Sequence, residues 1–302
     1  MKRWHIESML EIGKTLFTKI YRRKRFMHHN HEIHFLARQF DEWCMSGVNA
    51  LASGTYTPRH LKRRYFQDEV IDQLHLSDPI FQHILLKQVK STFTHVMNKH
   101  CYHLHGPTGV KYATQRLRHV LQTEEINYFI RADIKSFYRS IPHFKLIQDI
   151  KKYYNDLALQ NMLTNIITNP IDTPRGIRNP STGIALRGPL SQFFSGIYLK
   201  PLDDAFDNMD VTYIRYQDDI VILCKTKRQL NRCRRRMHAI LHERHLRLSR
   251  KKSRIGSIDS GFHFLGINYP PTQPEDNTNI TVAKTDTVTP PSSVHSLVEW
   301  GG

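Results

Sequence analysis

Two adjacent acids, Asp218 and Asp219, end the sequence Tyr216-Gln217-Asp218-Asp219, which separates two short apolar stretches, 211–215 and 220–224. These stretches are rich in β-branched and aromatic residues and too short for helices, so they predict strands. The chain must reverse between them, which places both acids at the tip of a hairpin. Like charges at short range and partial burial disfavour ionisation, and a divalent cation such as magnesium relieves that cost. The alternative is a solvated Asp-Asp turn without chemistry.

A third acid, Asp133, lies near the end of another apolar segment, 127–134, which also predicts a strand. If the strands that carry Asp133 and Asp218 are neighbours in one antiparallel sheet, their ends can converge. Three carboxylates would then hold two metal ions roughly 3.5–4 Å apart, as two-metal phosphoryl transfer requires. One ion would lower the pKa of an attacking 3′-hydroxyl, and the other would neutralise the leaving pyrophosphate.

The chain is strongly basic. Its 302 residues include 44 Lys and Arg against 27 Asp and Glu, which gives a net charge of +17 with histidine neutral. This excess predicts a polyanionic partner, and nucleic acid is the first candidate. One cationic cluster, Tyr21-Arg22-Arg23-Lys24-Arg25, either grips a nucleic acid backbone or is a solvated helix face. The length accommodates one large domain or two to three subdomains.

Other residue types exclude several classes of protein. The four cysteines have no paired spacing, which argues against a zinc ribbon and against a disulfide framework. His31 and His34 have metal-ligand spacing but lack a nearby carboxylate or cysteine pattern, so surface histidines are the simpler interpretation. No apolar run approaches the roughly 20 residues that span a bilayer, and the N-terminus has no apolar signal core. We therefore expect a cytoplasmic protein that binds nucleic acid and no membrane.

Hydrophobic periodicity predicts the remaining elements. Helices are expected over 6–50, 78–98, 144–168, 191–206 and 227–247, with a basic helix inside 101–122. A loop rich in Pro, Gly, Asn and Thr is expected over 169–183, and a strand over 262–267. From Pro270 onward the periodicity is lost, which predicts an extended or disordered tail.

In this order the motifs resemble those of bacterial reverse transcriptases, in the group II intron-like, unclassified (defence-associated) branch. The resemblance runs from about Gly54 to Ile267. The family's Tyr-x-Asp-Asp box matches Tyr216-Gln217-Asp218-Asp219, and its first acidic motif matches the segment from Asp133 to Tyr138. Residues 191–199 resemble the helix after the substrate-binding loop, and 246–253 resemble the motif that follows the Tyr-x-Asp-Asp box. Phe264-Leu265-Gly266 resembles the primer-grip strand. Five ordered motifs argue against an inert turn.

The resemblance implies an α+β right-hand polymerase fold with fingers and palm, whose antiparallel palm sheet packs on helices and whose thumb is short or missing. It predicts an N-terminal helical basic extension at 1–53 and fingers at 54–125. The palm is expected at 126–270, with 145–185 contributing to the fingers, and an irregular C-terminal tail at 271–302. Only about 35 residues follow Phe264-Leu265-Gly266. An RNA partner, self-association as a homo-oligomer or a short product would compensate for a missing thumb.

The resemblance also implies the site residues. The catalytic residues would be Asp133, Asp218, Asp219 and Lys252. Two Mg²⁺ ions, with Mn²⁺ as a substitute, would be held at Asp133, Ile134, Asp218 and Asp219. The nucleotide would contact Tyr138, Phe137, Gly188, Gln192, Arg63 and Arg64. Primer and template would contact Tyr216, Gln217, Phe264, Leu265 and Gly266.

Some of these roles have alternatives. Tyr138 would exclude a 2′-hydroxyl by its bulk and so select dNTPs, or it is a core tyrosine. Lys252 would protonate the pyrophosphate, or it is a phosphate contact within a cationic run. Two features depart from the family: Ala185-Leu186-Arg187-Gly188 stands where Pro-Gln-Gly is usual, and the arginine expected before Asp78 has no counterpart.

The function that the resemblance implies is RNA-directed DNA polymerisation from dNTPs on an RNA template, giving a DNA product. The implied setting is bacterial antiviral defence with a dedicated structured non-coding RNA. Two alternatives remain open. One is a reverse transcriptase of a diversity-generating or retron element. The other is a catalytically silent RNA-binding chaperone that kept the fold.

Overall fold

The computed structural model describes residues 5–66, 70–93, 97–186 and 188–270. They belong to two compact units of discontinuous chain. The first unit combines Met1–Val96 with Ile141–Tyr198, and the second combines Met97–Ser140 with Leu199–Gly302. The predicted tail, 271–302, and with it the prediction about the thumb, lie outside the described residues.

The described helices are α1 Ile6–Lys24, α2 Glu32–Arg38, α3 Phe40–Ser53, α4 Asp78–Phe93, α5 Gly109–Thr123, α6 Phe137–Ser140, α7 His143–Tyr153, α8 Leu157–Ile167, α9 Ser191–Asp207 and α10 Lys227–Glu243. The described strands are β1 Leu61–Tyr65, β2 Val70–Gln73, β3 Tyr128–Asp133, β4 Ile171–Thr173, β5 Gly176–Arg178, β6 Thr212–Tyr216, β7 Asp219–Cys224, β8 Arg254–Ser257, β9 Phe262–Phe264 and β10 Ile267–Tyr269. None of these helices is both long and apolar enough to cross a lipid bilayer.

The first unit contains a mixed four-stranded sheet in the order β2-β1-β4-β5. The β4–β5 hairpin lies inside the predicted loop 169–183, so that prediction was wrong. The two strands of the hairpin have three residues each, and β4 is held by parallel pairing with β1, more than 100 residues earlier in the chain.

The prediction of a single helix over 144–168 was also wrong. Tyr154 is extended and ends α7, and the Asp156 carboxylate caps α8 by accepting a hydrogen bond from the Leu159 N–H.

The second unit is built on a sheet of order β6-β7-β3-β8, in which every neighbouring pair is antiparallel. This confirms the predicted antiparallel sheet. Strand β3, which ends at Asp133, pairs with β7, which begins at Asp219, whereas β6, the strand before Asp218, lies one strand further away. One face packs against α5 and the β9–β10 hairpin, through a core that includes Leu117, Phe129, Val221 and Phe264. Because side chains alternate between the two faces of a strand, Ile130 and Ile222 belong to the opposite face, where α10 packs.

The segment predicted as one strand over 262–267 is instead the β9–β10 hairpin. Phe264 pairs with Ile267, so Leu265 and Gly266 form a two-residue turn. Both have positive φ, 49° and 80°. This combination is typical of the type I′ hairpin turn, whose twist matches the twist of its strands.

Burial of a histidine in α4 makes the stability of the first unit sensitive to acid. Burial lowers the pKa of His83 to about 4. As the pH falls, this histidine is protonated in the unfolded chain before it is protonated in the folded chain. Its contribution to the free energy of unfolding, fully present above about pH 6.5, is therefore lost as the pH falls toward 4. The loss from this group reaches at most about 1.4 kcal/mol per pH unit. We expect His83→Gln to shrink the fall in thermal midpoint between about pH 7 and about pH 4.5. A wild-type and a variant curve that stay parallel would contradict this assignment.

Candidate active site

The turn of the β6–β7 hairpin carries the sequence Tyr216-Gln217-Asp218-Asp219. Tyr216 pairs with Asp219, so Gln217 and Asp218 are the two turn residues. Gln217 has a φ of 56°, in the left-handed region that a residue with a Cβ rarely occupies. Surrounding contacts must therefore hold this turn in place.

Asp133 is the last residue of β3, and its register partner across the sheet is Asp219 at the start of β7. Residues directly opposite each other point to the same face, with Cβ atoms about 5 Å apart. Like charges in this position destabilise a sheet. Asp133 is also buried, with 7% of its surface exposed. The fold thus keeps two acids together at the end of its central strand, at a cost in stability.

The electrostatics of the turn reflect this crowding. Burial, reinforced by the neighbouring Asp219 carboxylate and by Asp133, raises the pKa of Asp218 to about 6. Burial and then Asp133 raise the pKa of Asp219, whereas Arg131 and Lys252 act in the opposite direction. All three acids therefore interact electrostatically in one place.

The loop after α10 fixes the end of β3 and brings Lys252 to the acids. The Ser249 N–H donates to the Asp133 carbonyl at 2.8 Å, and the Lys135 N–H donates to the Arg247 carbonyl at 2.8 Å. The Asp133 N–H donates to Ser253 Oγ at 3.2 Å. Lys252 Nζ lies 3.6 Å from Asp133 Oδ2, with 68% of its side chain exposed. Its ammonium group is therefore available to an incoming anion.

A buried ion pair lies beneath the turn, on strand β6. The Arg215 guanidinium donates to both carboxylate oxygens of Asp203, and its Nε–Oδ1 distance is 2.6 Å. Asp203 also accepts from the Tyr213 hydroxyl at 2.7 Å. The side chains of Arg215 and Asp203 are 0% and 1% exposed. The same guanidinium donates from Nη1 to the Gln217 carbonyl at 3.1 Å, so it fixes the turn as well as the pair.

His103 holds the other side of the turn. The Gln217 N–H donates to His103 Nδ1 at 3.1 Å, and the His103 ring meets the Tyr216 ring edge to face at 6.1 Å. Sequence reasoning did not find His103, Arg215 or Asp203. Arg215 carried one usable signal, a charged residue in the middle of an apolar strand. A charge there needs a buried partner.

The remaining residues predicted to contact substrate fall in several places. Ile134 is buried, and its N–H donates to the Asp218 carbonyl at 3.3 Å, so only its main chain could serve a metal. Phe137 is buried at 2% exposure, as a core residue would be, and Tyr138 beside it is half-buried. Phe264 is buried and Leu265 is partly buried, both in the core beneath the sheet.

The other predicted nucleotide contacts belong to the first unit. Arg63 makes a two-pronged ion pair with Asp72, at 2.7 and 3.0 Å, which occupies the guanidinium group predicted to bind triphosphate. Arg64 is exposed. The absence of a side chain at Gly188 lets Ser191 approach its main chain, because a Cβ at Gly188 would lie 3.0 Å from Ser191 Oγ. Gln192, one residue further on in α9, is partly buried. The roles of all four stay predictions.

The acids suit a divalent metal by their chemistry. Carboxylate oxygens are the ligands that magnesium prefers. A bound cation would offset both the burial of these charges and their mutual repulsion, which together raise the pKa values of Asp218 and Asp219. Within the part of the chain that the structure describes, no three His, Cys, Asp or Glu side chains form a ready-made metal site. The fit to a divalent metal thus rests on the chemistry of the carboxylates, and the metal pair stays a prediction.

Comparison with known proteins identifies the family. The model of the family "Reverse transcriptase (RNA-dependent DNA polymerase)" matches residues 73–269, about two thirds of the chain. The chain belongs to this reverse transcriptase family. It therefore carries the nucleotidyltransferase domain of RNA-directed DNA polymerases. No curated protein sequence matches the chain significantly.

Two solved telomerase structures share the fold of this chain at low sequence identity. Apo telomerase from Candida tropicalis is 11% identical, with a TM-score of 0.53, and the match covers 76% of this chain and 51% of that one. The same telomerase with a TWJ fragment of telomeric RNA matches equally well, over 47% of its length. A partial Cas6-RT-Cas1–Cas2 complex is 17% identical over 79% of this chain and 41% of that one, with a TM-score of 0.45. The chain thus spans about half or less of the structures it matches.

Proposed function

We propose that this reverse transcriptase extends a 3′-hydroxyl with dNTPs on an RNA template by two-metal phosphoryl transfer. The observation that carries the proposal is the register pairing of Asp133 with Asp219, beside Asp218, at a buried sheet end. No structural need explains three acids there, because their repulsion costs stability. Family membership supplies the reaction class that makes use of them.

In this proposal Asp133, Asp218 and Asp219, with the main chain of Ile134, would hold two Mg²⁺ ions. When bound, the metal supplies charge that favours ionisation of the 3′-hydroxyl and stabilises the pyrophosphate leaving group. The protein itself contributes position. The Arg215 and His103 hydrogen bonds hold the turn that carries Asp218, and the loop 246–253 holds the main chain of Asp133. Such preorganised groups lower the barrier without reorganising during the reaction.

Lys252 would act on the leaving group. Its ammonium group lies beside the Asp133 carboxylate, and its side chain is mostly exposed. It can therefore donate a proton to pyrophosphate or contact a phosphate as a cation. We expect Lys252→Gln to lower kcat more than it raises the KM for dNTP if the proton is transferred. A change in KM alone would assign a binding role instead.

The decisive assay uses the purified chain with magnesium, dNTPs and a primed RNA template. We expect template-dependent incorporation that EDTA abolishes and added Mg²⁺ restores. Incorporation that ignores the template sequence would refute RNA-directed synthesis. A complete lack of incorporation, with RNA binding intact, would favour a catalytically silent RNA-binding protein.

Tyr138 would set the sugar selectivity of this reaction. It follows Asp133 by five residues and is half-buried, so part of its ring can face a nucleotide. We expect Tyr138→Ala to raise the use of rNTPs relative to dNTPs by roughly 10- to 100-fold, the effect of removing a steric block. Tyr138→Phe is the matched control, because it keeps the ring and should keep the selectivity. Unchanged selectivity in the alanine variant would make Tyr138 a packing residue.

The proposed setting is bacterial antiviral defence in the cytoplasm, with a dedicated non-coding RNA. Support comes from the resemblance of the ordered motifs to that branch of reverse transcriptases. Two tests address it: RNA that copurifies with the chain should be one discrete species, and cells that carry the gene should resist phage unless Asp218 is replaced. Heterogeneous copurified RNA together with unaltered phage sensitivity would refute this setting.

A further inference from the structure

Helix α10 has two faces of opposite character. Its inner face is apolar and buried, with Leu230, Cys233, Met237, Ile240 and Leu241. Its outer face carries exposed cations, here called the arginine face: Lys227, Arg228, Arg232, Arg234, Arg235 and Arg236. At roughly 100° per residue, Arg228, Arg232 and Arg235 fall opposite the buried set, and Lys227, Arg234 and Arg236 lie along its two flanks. The helix therefore presents a continuous basic surface to solvent.

The arginine face costs the helix stability. Lys227 and Arg228 lie in the first turn, which contains no acid, although the helix dipole favours negative charge there. Arg228, Arg232 and Arg236 follow at four-residue spacing, where like charges repel. Among the described residues, no acidic side chain forms an ion pair with any of the six cations. A basic surface without internal compensation indicates a polyanionic partner.

The arginine face is separate from the acids of the active site. Asp133 lies four residues after Phe129 on β3, and Asp219 lies four residues before Leu223 on β7. Both acids therefore share the face of the sheet that packs against α5. Cys224, one residue further along β7, belongs to the other face, and its sulfur lies 3.9 Å from that of Cys233 on α10. The sheet thus lies between the arginine face and the side chains of Asp133 and Asp219.

We propose that the arginine face binds folded RNA at a second site, outside the catalytic centre. Five of its six cations are arginines, whose planar guanidinium groups match phosphate in two-pronged contacts and stack on unpaired bases. The major groove of an RNA helix is too deep and narrow for side chains to enter, so the exposed arginines of α10 would contact phosphates and splayed bases on the RNA surface instead. Folded RNA offers both. The choice of RNA over DNA rests on the proposed function, but the binding itself does not require catalysis.

The test compares Arg232→Gln/Arg236→Gln with the wild-type full chain. The probe is a fluorescently labelled stem–loop RNA with a blocked 3′ end, and binding is measured by anisotropy over a range of salt concentrations. We expect the affinity to fall roughly tenfold or more. For two lost phosphate contacts, the slope of log affinity against log salt should become shallower by about 1.4 to 1.8. Incorporation on a short primed template should stay unchanged, which separates this site from the polymerase reaction.

Arg175→Gln/Arg178→Gln is the matched control, because it removes two exposed arginines from the β4–β5 hairpin. It should bind the stem–loop RNA nearly as well as the wild type. Equal losses in both variants would show an effect of total charge and overturn the proposal. Wild-type affinity in Arg232→Gln/Arg236→Gln would also overturn it. A DNA stem–loop or polyglutamate that binds the arginine face as tightly as the RNA would replace RNA with another partner.

Discussion

Replacing Asp218 by asparagine is expected to lower nucleotide incorporation about a thousandfold or more, while the protein stays at least as stable as the wild type. The first part follows from the loss of a charged metal ligand, because about 4 kcal/mol of transition-state stabilisation corresponds to three orders of magnitude. The second part follows from the burial of the Asp218 charge and its repulsion by Asp219 and Asp133, which raise the pKa of Asp218 to about 6. An amide of the same shape removes this repulsion.

The two halves of this prediction are measured separately. Single-turnover incorporation on primed RNA gives the rate, and thermal unfolding without nucleotide gives the stability. Asp210→Asn is the matched control, because Asp210 is an exposed acid just before β6. Its rate should stay within about twofold of the wild type, as expected for a surface substitution. Full activity in Asp218→Asn would assign the measured incorporation to a contaminant, and a large loss of stability would show that the acid is structural.

The second large effect concerns the buried pair beneath the turn. We expect Arg215→Met to cost about 3–5 kcal/mol of unfolding free energy, because it leaves the Asp203 carboxylate buried without its cation. Incorporation should fall with it, since the hydrogen bond to the Gln217 carbonyl is lost too. A small displacement of reacting groups can cost about a hundredfold in rate.

A double variant separates the two effects of Arg215. Arg215→Met/Asp203→Leu replaces the ion pair by apolar side chains of similar volume, which is often neutral or stabilising. We expect this variant to regain most of the stability but not the rate, because the Gln217 carbonyl still lacks its donor. Arg215→Lys should keep charge yet recover the rate only in part, since lysine lacks the planar fork. Recovery of both stability and rate in the double variant would mean that Arg215 serves packing alone.

Local patterns predicted the elements that carry the acids. The apolar runs before Asp133 and on both sides of Asp218 predicted strands, and the adjacent acids between two such runs predicted a hairpin. Both predictions were confirmed, and the neighbour of β3 is the second strand of that hairpin, β7. Helix α10 followed from its 3.6-residue period, although it ends at Glu243, four residues earlier than predicted.

Long-range partners could not be predicted. Arg215 and Asp203 meet through their burial between a strand and a helix, and no local pattern specifies which acid a buried arginine will contact. The same holds for His103, which meets Gln217 across more than 100 residues of sequence. The short strands β4 and β5 were missed for a similar reason, because tertiary pairing with β1, rather than propensity, makes the segment a strand.

The order of the strands along the chain has a consequence for synthesis on the ribosome. Strand β3, Tyr128–Asp133, is synthesised early. Its two neighbours in the sheet are synthesised much later, as β7 at Asp219–Cys224 and β8 at Arg254–Ser257. While Ile141–Tyr198 of the first unit is translated, both edges of β3 therefore have no strand to pair with, although most of β3 is buried in the folded protein. Such edges are sites of wrong pairing. Nascent chains that stall between β3 and β7 should be the ones that chaperones retain, and slower translation of that interval should lower the yield of soluble protein.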